Sequence, residues 1–287
     1  MSLELILAAF GGGVLGALIG ALPAFIFTGF VGLVGIAVVA AGGPATILND
    51  VTFGVLLGPH IAFAGGVAAA AFAANKKRSL DNGMDTLTPL SKFQDPSIII
   101  IGGVFGIIGF GVNYLYGTVL ALQTDTIAMT VATSGIIARL VFGSTGLFGK
   151  MSPANDEVAA ATEINKRSIL PNSKTLGMDI IMGLGLGLVV SYLVILTQMG
   201  SLGFCISAAS LIFAQMGFEI PATHHITAVA GTAALMSGSI FIGAAFAILS
   251  AIIFEIAALT FNSNCDSHID PPAIAIFICT FAILGIF

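Results

Sequence analysis

The four histidines of the chain stand near prolines, at positions where helices are expected to begin. His60 directly follows a proline, His224 and His225 come shortly after another, and His268 precedes the sequence "IDPP". Proline favours the first turn of a helix, and the free N–H groups of that turn can hold a ligand. Because adjacent helical residues point in different directions, at most one of His224 and His225 is expected to enter a cavity. We select His60, His225 and His268 as candidate binding residues.

Carboxylates accompany these histidines. Asp125 lies in the short polar segment "QTDT", and Asp270 follows His268 by two residues. Glu255 lies inside the apolar run "AIIFEIAAL", where a charged side chain costs roughly 2.5–3.5 kcal/mol on insertion scales. We therefore expect Glu255 to face a bundle interior or water and to carry a proton or cation. The candidate carboxylates for substrate or ion binding are Asp125, Asp270 and Glu255, with Asp50, Asp266 and Glu219 as secondary candidates.

The densest group of polar residues is "NSNCDSHIDPP", which begins at Asn262. It brings an amide, a thiol, two carboxylates and an imidazole into one short stretch. Two interpretations remain open. In the first, an external loop uses Asp266 or Ser267 to cap the last helix. In the second, His268 and Asp270 lie at a broken helix and bind a cation, a proton or a polar solute.

The sequence identifies neither a metal for the histidines nor the partner of Arg139. Imidazole suits transition metals, but His60, His225 and His268 show no HxxxH or HxxE spacing, so any metal remains unknown. His60 and His225 can equally be interfacial histidines that bond a carbonyl. Arg139, in "GIIARLVFG", is the only basic residue within an expected span, and we predict that it pairs with an acidic residue.

Signatures of several enzyme and channel classes are absent from the sequence. It contains no Walker A motif, no GxSxG, no HExxH, no TVGYG filter and no arginine-rich voltage sensor. We therefore expect no enzymatic activity and no cofactor. A net charge of −5 gives no indication of a nucleic-acid partner.

Composition places these polar residues in a membrane protein. Of the 287 residues, 57% are hydrophobic and 8% are charged, and the mean hydropathy is +1.08. Several apolar runs approach the roughly 20 residues that a helix needs to cross the hydrocarbon core. A β-barrel would show alternating apolar and polar residues instead. The sequence therefore predicts an all-α polytopic membrane protein whose principal partner is the lipid bilayer.

Two polar segments set the expected topology. Residues 75–96 and 149–175 contain eight of the nine lysines and arginines, so the positive-inside rule places both loops in the cytoplasm. Three apolar runs precede the first loop, two lie between the loops and five follow the second. We therefore predict about ten transmembrane or re-entrant helices, both chain ends outside, and a location in the plasma (inner) membrane.

An internal repeat relates the two halves. The decapeptide "HIAFAGGVAA" from His60 shares five positions with "HITAVAGTAA" from His225. The segment around Gly102 and Phe105 resembles the segment around Gly243 and Phe246, and continuing that register matches Ile127 with Ile269. Residues 1–148 and 176–287 are therefore predicted to form two five-helix repeats joined by the linker 149–175. An odd number of spans per repeat makes the two copies inverted in the membrane.

Inverted repeats are typical of secondary transporters, whose substrates bind near the bilayer midplane between the repeats. The working hypothesis is a transporter of a small solute or ion, coupled to protons or a cation; the acidic residues favour a cation, whereas helix N-termini would equally accept an anion. The alternatives are an oligomeric channel, with a homo-oligomer as the assembly, and a non-transporting subunit that docks partners through the loop "NDEVAAATEINKR". A lipid-modifying enzyme is the weakest alternative because the sequence shows no nucleophile motif.

Overall fold

A computed structural model describes residues 2–150 and 169–287, and within these residues the chain forms helices and no strands. Most of the predicted linker 149–175, including the proposed docking segment 155–167, lies outside the described residues. The first half contains α1 (Leu3–Ile19), α2 (Ala21–Ala40), α3 (Ala62–Phe72), α4 (Pro96–Tyr114) and α5 (Thr126–Phe142). The second half contains α6 (Ser173–Thr197), α7 (Leu202–Ser210), α8 (Ile212–Gln215), α9 (His224–Ser237), α10 (Ile240–Phe261) and α11 (Pro271–Ile286).

Short π-helical and 3₁₀ segments connect or extend these α-helices. A π-helical segment, Ile47–Thr52, lies between α2 and α3, and π-helical turns Ala73–Lys77 and Leu115–Val119 extend α3 and α4. A 3₁₀ turn, Leu90–Phe93, precedes α4. Each of the ten apolar runs predicted from the sequence overlaps at least one of the described α-helices.

Four helices of the described residues are long and apolar enough to cross a membrane: Ala21–Ala40, Pro96–Val119, Ser173–Thr197 and Ile240–Phe261. Shorter apolar helices are Leu3–Ile19, Thr126–Phe142, Leu202–Gln215 and Pro271–Ile286. Large apolar side chains on the outside, among them Ile181 and Phe241, are exposed. These features are compatible with an integral membrane protein, since lipid would cover the exposed apolar surface.

The helices form two groups of three. In the first half α1, α3 and α4 pack against one another, and in the second half α6, α9 and α10 do the same. Helix α2 packs against α7, and α5 packs against α11, so the two halves meet through these pairs. Helices α3 and α9 are short and largely buried by protein; every residue from Ala62 to Ala71 is buried. An 11-residue helix rises only about 16 Å, so α3 does not reach across a bilayer by itself.

Backbone-to-backbone contact holds the first group together. A methyl group placed on Gly13 would overlap the carbonyl oxygen of Gly102, and one placed on Gly16 would overlap the carbonyl oxygen of Ala62. Such close approach is possible only where a helix carries no side chain, as in other membrane helix pairs. By contrast, a Cβ on Gly11 would meet nothing within 4 Å.

We predict that Gly13→Ala lowers the free energy of unfolding by roughly 1–3 kcal/mol, because α1 and α4 must move apart to accept the methyl group. The measurement is thermal or denaturant unfolding of the full chain in detergent. Gly11→Ala is the matched control, because it adds the same methyl group in open space and improves helix propensity. Equal destabilisation by the two substitutions would contradict the assigned contact.

Capping fixes the start of α4. The Asp95 carboxylate accepts hydrogen bonds from the Ser97 hydroxyl at 2.6 Å and the Ser97 N–H at 2.9 Å, and it lies 3.0 Å from the Lys77 ammonium. Pro96 occupies the first helical position, where its missing N–H is harmless. The Ser97 hydroxyl, followed by Lys77 and the Ser97 N–H, lowers the pKa of Asp95 to about 2.

This depressed pKa makes the contribution of Asp95 to stability dependent on pH. The contribution is complete above the unfolded-state pKa of about 3.9 and is lost as the pH falls towards 2. Asp95→Asn keeps a capping side chain but removes the charge that pairs with Lys77. We expect the native chain to be more stable than this variant at pH 6 and the difference to disappear between about pH 4 and pH 2, measured by unfolding at each pH. A difference independent of pH would contradict this assignment.

Candidate functional site

A cavity of about 530 Å³ lies where the two halves meet. Its wall is largely apolar and comes from α2, α3 and α5 of the first half and from all helices of the second half except α6, with contributions from the connecting segments. A cavity of this size suits a small organic molecule, and a mostly apolar lining with a few polar groups is usual for such sites. The polar and ionisable residues in the wall are Thr86, Asp125, Ser201, His224, Thr232, Asn262, His268 and Asp270.

An aromatic cluster forms one side of the cavity. Phe25 lies at its centre, with ring centroids 5.7 Å from Phe63, 5.6 Å from Phe204 and 4.7 Å from His224. Phe53 extends the cluster through its contact with Phe204 at 5.7 Å. These rings come from both halves, so the cluster exists only when the halves are assembled.

Two carboxylates of the cavity wall cap helices that run antiparallel. Asp125 caps α5 by accepting from the Ala128 N–H at 2.8 Å, and Asp270 caps α11 by accepting from the Ala273 N–H at 2.9 Å. The Asp125 N–H donates to the Thr280 hydroxyl late in α11 at 2.9 Å. At the other end, Gly135 of α5 lies against the segment that precedes α11. The carboxylates therefore lie at opposite ends of the α5–α11 pair.

His268 and Asp270, which the sequence placed together, are in contact. The His268 Nε2 atom lies 3.1 Å from Asp270 Oδ1, and the other carboxylate oxygen caps α11. The imidazole also lies edge-on to Phe63, with ring centroids 6.2 Å apart. An imidazole and a carboxylate in contact at a cavity wall can hold a proton or orient a polar group of a bound solute.

The cap of the last helix corrects one sequence-based interpretation. The side chain that caps α11 is Asp270 and not Asp266 or Ser267. Pro271 begins the helix, which makes the preceding residue the cap. Partial burial alone would raise the pKa of Asp266, but hydrogen bonds from the Ser144 N–H and from the hydroxyls of Ser144 and Thr145 lower it. Asp266 therefore anchors the loop to the end of α5.

Arg139 holds the same loop through neutral oxygens. Arg139 as a whole residue is 1% exposed, and its guanidinium donates to the Ser267 hydroxyl at 3.1 Å, the Leu147 carbonyl at 2.9 Å and the Asn262 amide oxygen at 3.2 Å. It also donates to the carbonyl oxygens of Phe261 and Ser267. The expected ion pair with an acidic residue is absent among the described ion pairs. The five N–H groups of the guanidinium instead donate to several neutral oxygens at once, most of them carbonyls.

His60 and His225 are buried outside the cavity wall. The His225 ring stacks on Phe254 at 4.4 Å, and the His225 carbonyl accepts from the Ser250 hydroxyl at 3.1 Å. The residue that lines the cavity is His224, at the start of α9, which the sequence analysis did not select. The Nδ1 atoms of His60, His224 and His225 have no hydrogen-bond partner. The pair His224–His225 signalled that one ring faces the cavity, but the sequence does not show which.

The other predicted carboxylates lie elsewhere. Glu255 is half-buried on α10 and does not line the cavity, whereas Asp50 and Glu219 are exposed. The sequence analysis missed Asp179, which is 3% exposed on α6. The criterion that selected Glu255, a carboxylate within an apolar run, would also have found it in "LGMDIIMGLGL". Among the described residues, no group of three or more His, Cys, Asp or Glu side chains could hold a metal ion.

We predict that Arg139→Gln lowers the free energy of unfolding by about 3 kcal/mol, because it leaves buried carbonyls without a donor. Thermal unfolding in detergent measures this effect. Lys76→Gln removes an equally basic but exposed side chain and serves as the control, with an expected change within about 0.5 kcal/mol. A comparable loss in both variants would show that net charge and not the loop contacts is responsible.

Comparison with curated proteins and with solved structures produces no match. A family model described as "Family of unknown function (DUF7973)" matches residues 1–287. The matched range covers the printed sequence from end to end and so includes all the residues of the cavity wall. The chain therefore belongs to the family DUF7973.

Proposed function

We propose that the chain is a secondary membrane transporter that binds a small organic cation in the central cavity, between two inverted five-helix repeats. The observation that carries the proposal is the composition of the cavity wall. Residues at corresponding positions of the two halves both line it. These pairs are Phe25 with Phe204, Phe63 with Ala228, Asp125 with Asp270, Ala128 with Ala273, and Val131 with Ile276. Binding between repeats is the general arrangement of such transporters.

The spacing of the paired residues supports the repeat. Asp125, Ala128 and Val131 are each three residues apart along α5, and Asp270, Ala273 and Ile276 have the same spacing along α11. The helix caps thus align Asp125 with Asp270. This register differs from the one in the sequence comparison, which matched Ile127 with Ile269, and it replaces that match. The two members of this pair make the same bond to the third following N–H.

Backbone contacts around the two short helices support the same repeat. The His60 carbonyl lies against Gly109 of α4, and the His225 carbonyl accepts from Ser250 of α10. Gly109 lies seven residues after Gly102, and Ser250 lies seven residues after Gly243. The repeated decapeptides therefore have a structural role: they place α3 and α9 against equivalent positions of α4 and α10.

The relative direction of α5 and α11 favours inverted repeats. Helices related by a two-fold axis in the membrane plane must run antiparallel where they meet, as α5 and α11 do. The ten predicted spans, four of which correspond to the long apolar helices, then divide equally between the two repeats. Such a two-fold arrangement gives the cavity one exit path through each repeat, which is the basis of alternating access.

The chemistry of the wall favours a cationic solute. Among the described residues, those that line the cavity include two carboxylates and several phenylalanines, but no lysine or arginine. Aromatic faces attract cations, and the attraction increases when the cation is desolvated. An apolar cation such as a substituted ammonium ion would pair with one carboxylate and contact the rings.

The first test is ligand-induced stabilisation of the purified full chain. We expect a saturable increase in Tm with benzylamine or tetraethylammonium and none with benzoate or benzyl alcohol. At a concentration 100 times Kd, binding to the native state adds about 2.7 kcal/mol of stability. Asp270→Asn should remove the increase while preserving the start of α11, because asparagine also caps helices.

Asp50→Asn is the matched control, because it makes the same chemical change at an exposed carboxylate outside the cavity. Uptake of the stabilising ammonium compound into proteoliposomes then distinguishes the mechanisms: a transporter saturates, whereas a channel gives a flux linear in concentration. Stabilisation by the anion or the alcohol equal to that by the amine, or equal in native and Asp270→Asn chains, would refute the cationic substrate.

A further inference from the structure

Two carboxyl groups lie on α6 and α10, which pack against each other, and neither group lines the cavity. Asp179, in the second turn of α6, is 3% exposed, and its Oδ2 atom is buried without a hydrogen-bond partner. Glu255 lies on α10, one and a half turns before the end of that helix, and is half-buried. A buried carboxylate oxygen without a donor is costly in its ionised form.

The packing of the two helices brings these groups together. Gly183 of α6 lies against Ile248 of α10, and Gly187 lies against Ala244, so the helices are antiparallel. Continuing this register by one helical turn places Asp179 beside the turn of α10 that leads to Glu255.

No cation neutralises the pair within the described residues. The ion pairs there are Lys77 with Asp95 and His268 with Asp270. Lys174, in the first turn of α6, is exposed and joins neither pair. The remaining titratable side chains on α6 and on the helices packed against α6 and α10 are Tyr192, Cys205, His224, His225 and Cys279.

We propose that Asp179 and Glu255 form a proton-binding site in which the two carboxyl groups share one proton. Two like charges on facing helix surfaces in a low-dielectric medium repel each other, so protonation of one group stabilises the ionised form of the other. The proton can reside on the Asp179 oxygen that has no hydrogen-bond partner. An ionised carboxylate can only accept, and no donor is available to this oxygen, whereas a protonated carboxyl can itself donate.

The site has a direct structural link to the central cavity. Glu255 follows Phe254, whose ring lines the cavity and stacks on His225. A change of charge at Glu255 can therefore move a cavity wall residue through the backbone of α10. The role of the pair in coupling proton movement to transport rests on the proposed function, whereas the presence of the shared proton does not.

Dicyclohexylcarbodiimide tests the proton directly, because this apolar reagent reacts with protonated carboxyls inside membrane proteins. The acid adds across one C=N bond and the O-acyl product rearranges to a stable N-acylurea, which mass spectrometry locates. In the purified full chain near neutral pH we expect labelling at Asp179 or Glu255, with one equivalent per chain and a yield that falls as the pH rises. In Glu255→Gln, the pH at which labelling of Asp179 falls to half of its maximum should be lower than in the native chain, because the negative charge of Glu255 is gone.

Asp50→Asn should label as the native chain does, and the double variant Asp179→Asn, Glu255→Gln should not label at either position. Absence of labelling in the native chain, a yield independent of pH, or an unchanged pH profile in Glu255→Gln would overturn the proposal. Saturable protection by sodium ions at constant pH would overturn it in favour of a metal cation. If the native chain labels as expected but binds no ammonium compound, the proton site stands and the proposed cationic substrate is refuted.

Discussion

The fold depends on close contact between helix backbones. Where Gly13 meets Gly102 and Gly16 meets α3, no side chain separates the helices, so dispersion contacts replace the hydrophobic effect that lipid does not supply. This contact encloses the short helix α3 within the first group, while α6 and α10 enclose α9 in the second. The cavity forms because these two groups hold their short helices at the surface where the halves meet.

Much of the helix framework could be predicted from apolar run lengths and from proline and acidic residues at helix starts. Asp125 and Asp270 were both selected as candidate residues, and both cap helices at the cavity. Their position follows from local rules, since a carboxylate before a helix bonds the free N–H groups of its first turn. Residue type and short-range spacing are sufficient for features of this kind.

The features that depend on orientation could not be predicted in the same way. His224 and His225 differ by one helical position, about 100° of rotation, and only the packing of α9 decides which ring faces the cavity. Arg139 was expected to find a carboxylate, but most of its partners are neutral oxygens of Phe261, Asn262 and Ser267, more than a hundred residues away in sequence. No local pattern specifies such contacts, because a loop presents its backbone oxygens only after it has folded.

The two oxygens of Asp270 have separate partners, and this division has a consequence for how the cavity responds to occupation. One oxygen holds the start of α11, while the other contacts the His268 imidazole. A cation that reaches the carboxylate from the cavity competes with the imidazole and leaves the helix cap in place. If a cation binds as proposed, it displaces the His268 ring from Asp270, so the position of this ring would distinguish an empty cavity from a filled one while α11 remains fixed.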